Sequence, residues 1–118
     1  MLNHPNWLLY EEAVDAETCE RWIELGRQAP TQDAKTFGGH DTHRKTDIRW
    51  LPNDGVYQET HNVFKRVALD ANQYFQTTLT VLPPLQFTEY ADVGHKYDMH
   101  HDVDWNRQDG LHRKLSIV

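Results

Sequence analysis

The sequence holds a single cysteine, Cys19, which rules out an internal disulfide and a thiolate-built zinc site. Any bound metal must be held by histidine and carboxylate. Long apolar runs are also missing. The longest span only a few residues, against the roughly 18 that a membrane helix needs, and the start MLNHPNWLLYEE has no basic segment leading into an apolar stretch. Basic residues are scarce: 12 Lys and Arg stand against 18 Asp and Glu, a formal net charge of -6, and they cluster no further than the pairs Arg44-Lys45, Lys65-Arg66 and Arg113-Lys114. These shortages argue against a nucleic-acid or membrane partner and lead us to expect a cytoplasmic protein. The 118 residues make one domain, with no internal repeat and no low-complexity tract.

What the chain has in plenty is histidine, 8 residues, of which His95, His100, His101 and His112 fall in about its last quarter. Upstream, Asn6 to Tyr10 is a short aromatic and aliphatic segment. Asp15 is the expected N-cap of a helix over AETCERWIELGRQ, in which Ala16, Cys19, Trp22, Ile23 and Gly26 recur at helical spacing and Pro30 ends the run. Thr31 to His43 is polar, carries Gly38-Gly39 and reads as a loop. Thr46 to Leu51 is a strand closed by Pro52-Asn53-Asp54-Gly55, and on it Arg49, between Ile48 and Trp50, is expected to face solvent. A second helix runs from Val56 to about Phe75 on the stripe Val56, Val63, Phe64, Val67, Ala68, Ala71 and Phe75. Thr77 to Leu82 is β-prone and is broken by Pro83-Pro84. Leu85 to Ala91 then alternates, with Leu85 and Phe87 on a face that packs on the helices and Gln86, Thr88 and Tyr90 on a hydrated one. The final RKLSIV is a further β-prone run. Trp7, Trp22 and Trp50 are expected in the core.

The chemistry concentrates in GHKYDMHHDVDW. His100 and Asp102 stand two apart, so in an extended segment the imidazole and the carboxylate share a face while His101 turns away. That is two-thirds of the 2-His-1-carboxylate arrangement, which covers one face of an octahedral Fe(II) and leaves the other positions open. The pair alone has little weight, since about one H-x-[DE] is expected by chance in a chain this rich in His and acids.

The surroundings give it weight. QFTEYADVGHKYDMHHDVDW followed by HRKLSIV resembles the Fe(II)- and 2-oxoglutarate-dependent oxygenases of the prolyl 4-hydroxylase type, and in particular the bacterial PKHD-type hydroxylases. The positions that carry the resemblance are Tyr90, Gly94, Tyr97, His100, Asp102 and Arg113-Lys114-Leu115-Ser116; AETCERWIELG and TDIRWL extend it upstream over most of the chain. The resemblance implies an α+β fold in which N-terminal helices pack on a double-stranded β-helix, or jelly roll. It also implies Fe(II) held by His100 and Asp102, with 2-oxoglutarate bound by Tyr90. The implied reaction is that of an oxidoreductase: a dioxygenase hydroxylates a prolyl or related peptide, protein or small-molecule substrate with O2, gives succinate and CO2, and uses ascorbate as reductant. The family's distal His ligand and its 2-oxoglutarate-binding basic residue lie on later strands. The expectation is therefore that 1–118 is the N-terminal part of an oxygenase domain, an incomplete jelly roll, inactive alone and prone to self-association through unpaired strand edges.

Other readings of the same residues stay open. The chain could be a non-catalytic binding or assembly module, or His95, His100 and Asp102 could hold zinc with a water as fourth ligand. His95, His101 and His112 otherwise read as solvated loop residues, and Tyr97 as either a core aromatic or part of the site. Trp105 is a candidate for a substrate rim, and Arg113 and Lys114 decorate an exposed strand unless Arg113 meets substrate at a pocket mouth.

Overall fold

The computed structural model describes residues 6–33, 44–45, 47–90, 96–97, 102 and 106–118. In chain order the elements are helix α1 (Ala16–Arg27), strands β1 (Thr31–Asp33), β2 (Arg44–Lys45) and β3 (Asp47–Leu51), a 3-10 turn (Gly55–Tyr57), helix α2 (Gln58–Phe75), and strands β4 (Leu85–Glu89) and β5 (Lys96–Tyr97). The class is α+β, as expected. Strand β3 is the centre of a three-stranded antiparallel sheet in the order β1-β3-β4, while β2 and β5 form a separate two-stranded antiparallel pair. No described helix is long and apolar enough to cross a membrane.

Helix α1 begins where the sequence places it. The Asp15 carboxylate accepts the Thr18 N–H at 2.7 Å, and hydrogen bonding from Thr18 holds the Asp15 carboxyl below the usual carboxylate range. The helix packs on the sheet through Gly26: a Cβ there would lie 2.5 Å from the Phe87 ring, so only glycine lets α1 come this close to β4. Phe87 thus faces the helices, as its alternation predicts. Ion pairs secure the layer, Arg27 to Glu89 at 3.3 Å joining α1 to β4 and Arg21 to Glu59 at 2.6 Å joining the two helices.

Helix α2 ends in an αL residue that is not glycine. Gln76 has φ 53°, and Asn72 offsets this by clasping the backbone of Thr77 with both ends of its amide, at 2.8 and 3.0 Å. Among the described residues the buried apolar ones are Ala29, Ile48, Leu51 and Ala71, and with them are Thr60 and His61, which is only 1% exposed. His61 Nε2 lies 2.7 Å from the Leu51 carbonyl. A carbonyl can only accept, so Nε2 carries the hydrogen, and the buried Nδ1 has no partner among the described residues.

Several expectations are corrected. Thr31–Asp33 is not loop but a strand, because β3 offers it an antiparallel partner in the register Thr31↔Arg49. Thr77 to Leu82 and RKLSIV form no strand despite their composition, since β-prone residues pair only where a partner edge is presented. Val56 is 62% exposed in the 3-10 turn and leaves the helical stripe. Trp7 (68% exposed) and Trp50 (39%) are surface residues; of the three tryptophans expected inside, Trp22 is half-buried and tilts against Phe64 with ring centroids 6.2 Å apart.

Arg49 does not face solvent. Its register partner is Phe87, and residues opposite one another on antiparallel strands share a face, so Arg49 projects toward α1. There its Nη1 donates to the Arg27 carbonyl and, at 3.4 Å, to that of Ala29. A cation thus closes the C-terminal end of α1, where carbonyls lack intrahelical partners and the helix dipole is negative.

Candidate functional site

The predicted site lies beyond β4. Tyr90 follows the last residue of that strand and is 53% exposed, and its phenol has no partner among the described residues. Strand β5, Lys96–Tyr97, pairs antiparallel with β2 in the register Arg44↔Tyr97 and Lys45↔Lys96. Backbone at Lys96–Tyr97 is therefore extended, while Asp102 lies in a bend. His100 itself lies outside the described residues, as do Gly94, His95, His101 and Trp105.

Asp102 is described and half-buried. Its Oδ2 accepts the Ser116 hydroxyl at 2.6 Å, within the range of hydroxyl-to-carboxylate bonds. The contact joins residues 14 apart, and the turn between them is held by Asp109. Arg107 Nε donates to both Asp109 oxygens at 2.7 and 2.8 Å, the Leu111 N–H donates to Oδ1 at 3.0 Å, and Gly110 takes the left-handed conformation (φ 76°). The Leu111 N–H is the main reason that the Asp109 carboxyl sits below its ordinary range, with Arg107 adding to it. The turn lies in the stretch between Asp102 and Ser116, whose side chains meet. Arg113 and Lys114 are exposed and lie outside any strand.

Of the three predicted site residues, then, the structure describes Tyr90 and Asp102, and it shows Ser116 as a hydrogen-bond partner of Asp102. The sequence quotes Ser116 as part of a motif but assigns it no task, because a hydrogen bond across a 14-residue return leaves no periodic trace. His61, the most buried polar residue described, also escapes a reading that looks only for apolar residues on the inner face of α2. Among the described residues no group of three or more His, Cys, Asp or Glu could hold a metal. The donor set that the H-x-D pair offers, a hard carboxylate oxygen and an imidazole nitrogen, has the chemistry that suits Fe(II), and the Asp102 carboxylate is held by a hydroxyl donor of the kind that orients metal-binding carboxylates. A shallow depression on one face of α2, lined by Asn62, Lys65, Arg66, Leu69, Asp70 and Gln73, contains none of the predicted residues.

Comparison with models of known protein families, with curated proteins and with solved structures finds no match to this chain.

Proposed function

We propose that this chain carries the iron-binding segment of a non-haem Fe(II)- and 2-oxoglutarate-dependent dioxygenase of the prolyl 4-hydroxylase class. The observation that carries the reading is the segment from Tyr90 to Ser116, in which the H-x-D pair stands among the residues of the resemblance and Asp102 accepts the Ser116 hydroxyl. The proposal includes a double-stranded β-helix as the full architecture and a prolyl or related peptide as substrate.

In this reading His100 and Asp102 are the protein ligands that the chain supplies to Fe(II). Tyr90, exposed just past the end of β4, would donate its phenol hydrogen to a 2-oxoglutarate carboxylate. In a complete domain, bound Fe(II) with 2-oxoglutarate and O2 would supply the oxidation that hydroxylates substrate and yields succinate and CO2, with ascorbate as reductant. The tight turn at Asp109–Gly110, with the Leu111 N–H on the Asp109 carboxylate, supports this reading because it lies between Asp102 and Ser116.

The test is an anaerobic titration of the purified chain with Fe(II) and then 2-oxoglutarate, following the visible charge-transfer band of a chelated complex. The expected result is a band that disappears in His100→Ala and Asp102→Ala and persists in His101→Ala. Equal losses in all three variants, or no band from a chain shown to be folded by circular dichroism, overturn the proposal for this polypeptide.

A further inference from the structure

The hydroxyl of Ser116 engages one oxygen of Asp102 at 2.6 Å, across a turn that the chain stabilises with three hydrogen bonds to Asp109. A carboxylate free to rotate must lose that freedom when it ligates an ion. One already held in a single plane by a hydroxyl donor does not. Groups that hydrogen-bond metal ligands from behind commonly change metal affinity by about 10-fold to 100-fold when removed, because they set ligand orientation and basicity. Resting on the iron-site reading above, we infer that Ser116 is a positioning residue, whose hydroxyl holds the Asp102 carboxylate in the orientation that a divalent metal requires.

Because both partners are accessible to water, which competes for the same carboxylate, the effect should lie at the lower end of that range. The expected loss of affinity for Ser116→Ala is about 10-fold. Hydroxyl chemistry rather than side-chain volume is responsible, so Ser116→Thr keeps the effect and Ser116→Cys, close in size but a weak donor, loses it.

The experiment titrates the full chain with Co(II) alone and reads affinity and spectrum from its visible d–d bands, with circular dichroism on every variant. The proposal expects Co(II) binding by the wild type, none by His100→Ala or Asp102→Ala, about 10-fold weaker binding with altered bands in Ser116→Ala and Ser116→Cys, and recovery in Ser116→Thr. Wild-type affinity in Ser116→Ala alongside loss in Asp102→Ala overturns the positioning role and leaves the iron-site reading intact. Should Ser116→Ala not fold, wild-type affinity in Ser116→Cys overturns the role equally, as does loss in Ser116→Thr. Absence of Co(II) binding by the wild type, or unchanged binding in Asp102→Ala, overturns the iron-site reading and this inference with it.

Discussion

Replacing Gly26 by alanine sets two effects of known size against each other. Within a helix the change is favourable by up to about 1 kcal/mol, and by less here because Gly26 is the penultimate residue of α1. Against it, the new methyl would lie 2.5, 2.7 and 2.8 Å from Cδ2, Cε2 and Cγ of Phe87, where ordinary carbon contacts are about 3.5–4.0 Å. The ring must retreat by roughly 1 Å. Phe87 is the middle residue of β4, in register with Arg49, so retreat means a strained side-chain rotamer or a displaced strand. Overpacking of this kind costs about 1–3 kcal/mol. The net expectation is a loss of about 1–2 kcal/mol, a fall in Tm of at least roughly 4 °C. Urea unfolding of the wild type, Gly26→Ala, Phe87→Leu and the double variant separates the two effects: alanine should be destabilising beside the native Phe87 ring and neutral or stabilising in the Phe87→Leu background, with a coupling near or above 1 kcal/mol. If Gly26→Ala stabilises the wild-type background, or costs the same in both backgrounds, the close approach of α1 to β4 is not what places a glycine here.

Three further expectations follow from the packing. Arg49→Met keeps most of the side-chain volume but removes the charged donor at the end of α1, and should cost about 1.5–3 kcal/mol in denaturant unfolding; an unchanged midpoint would show that the Arg27 and Ala29 carbonyls are satisfied without it. His61→Phe preserves a ring in the buried site but deletes the donor to the Leu51 carbonyl, with an expected loss of about 1–3 kcal/mol, and equal stability would assign that hydrogen bond no net value. Because the Asp15 carboxyl is lowered from 3.8 in the folded chain, its cap contributes fully above that ordinary value and fades as pH falls through the lowered one. The Tm difference between wild type and Asp15→Ala should therefore be present at neutral pH and vanish at the acid end, whereas a gap that widens with acid would contradict the cap.

The helices were legible in the sequence because their hydrogen bonds close within the segment. Asp15, the spacing of Trp22, Ile23 and Gly26, and the stripe from Val63 to Phe75 all act through residues three or four apart, and the structure places α1 and α2 within a few residues of the expected bounds. The alternation of Leu85, Phe87 and their neighbours was legible for the same reason, since the side-chain period belongs to the strand itself. The composition also settled what kind of metal site was open to the chain: one cysteine leaves only histidine and carboxylate.

Pairing belongs to the tertiary structure. Thr31–Asp33 is a strand because β3 lies beside it, whereas RKLSIV, richer in β-prone residues, is not. Alternation places Arg49 opposite Ile48 and Trp50, but which face is covered depends on where α1 lands, and α1 covers the arginine's side with carbonyls that need a donor. His61 is inside because its ring finds the Leu51 carbonyl, a partner ten residues away on another element. The predicted site divides in the same way. Its residue types and the two-residue spacing of His100 and Asp102 were written in the sequence, while the contact of Asp102 with Ser116 exists only because a turn brings two distant segments together, and local periodicity carries no record of such a return.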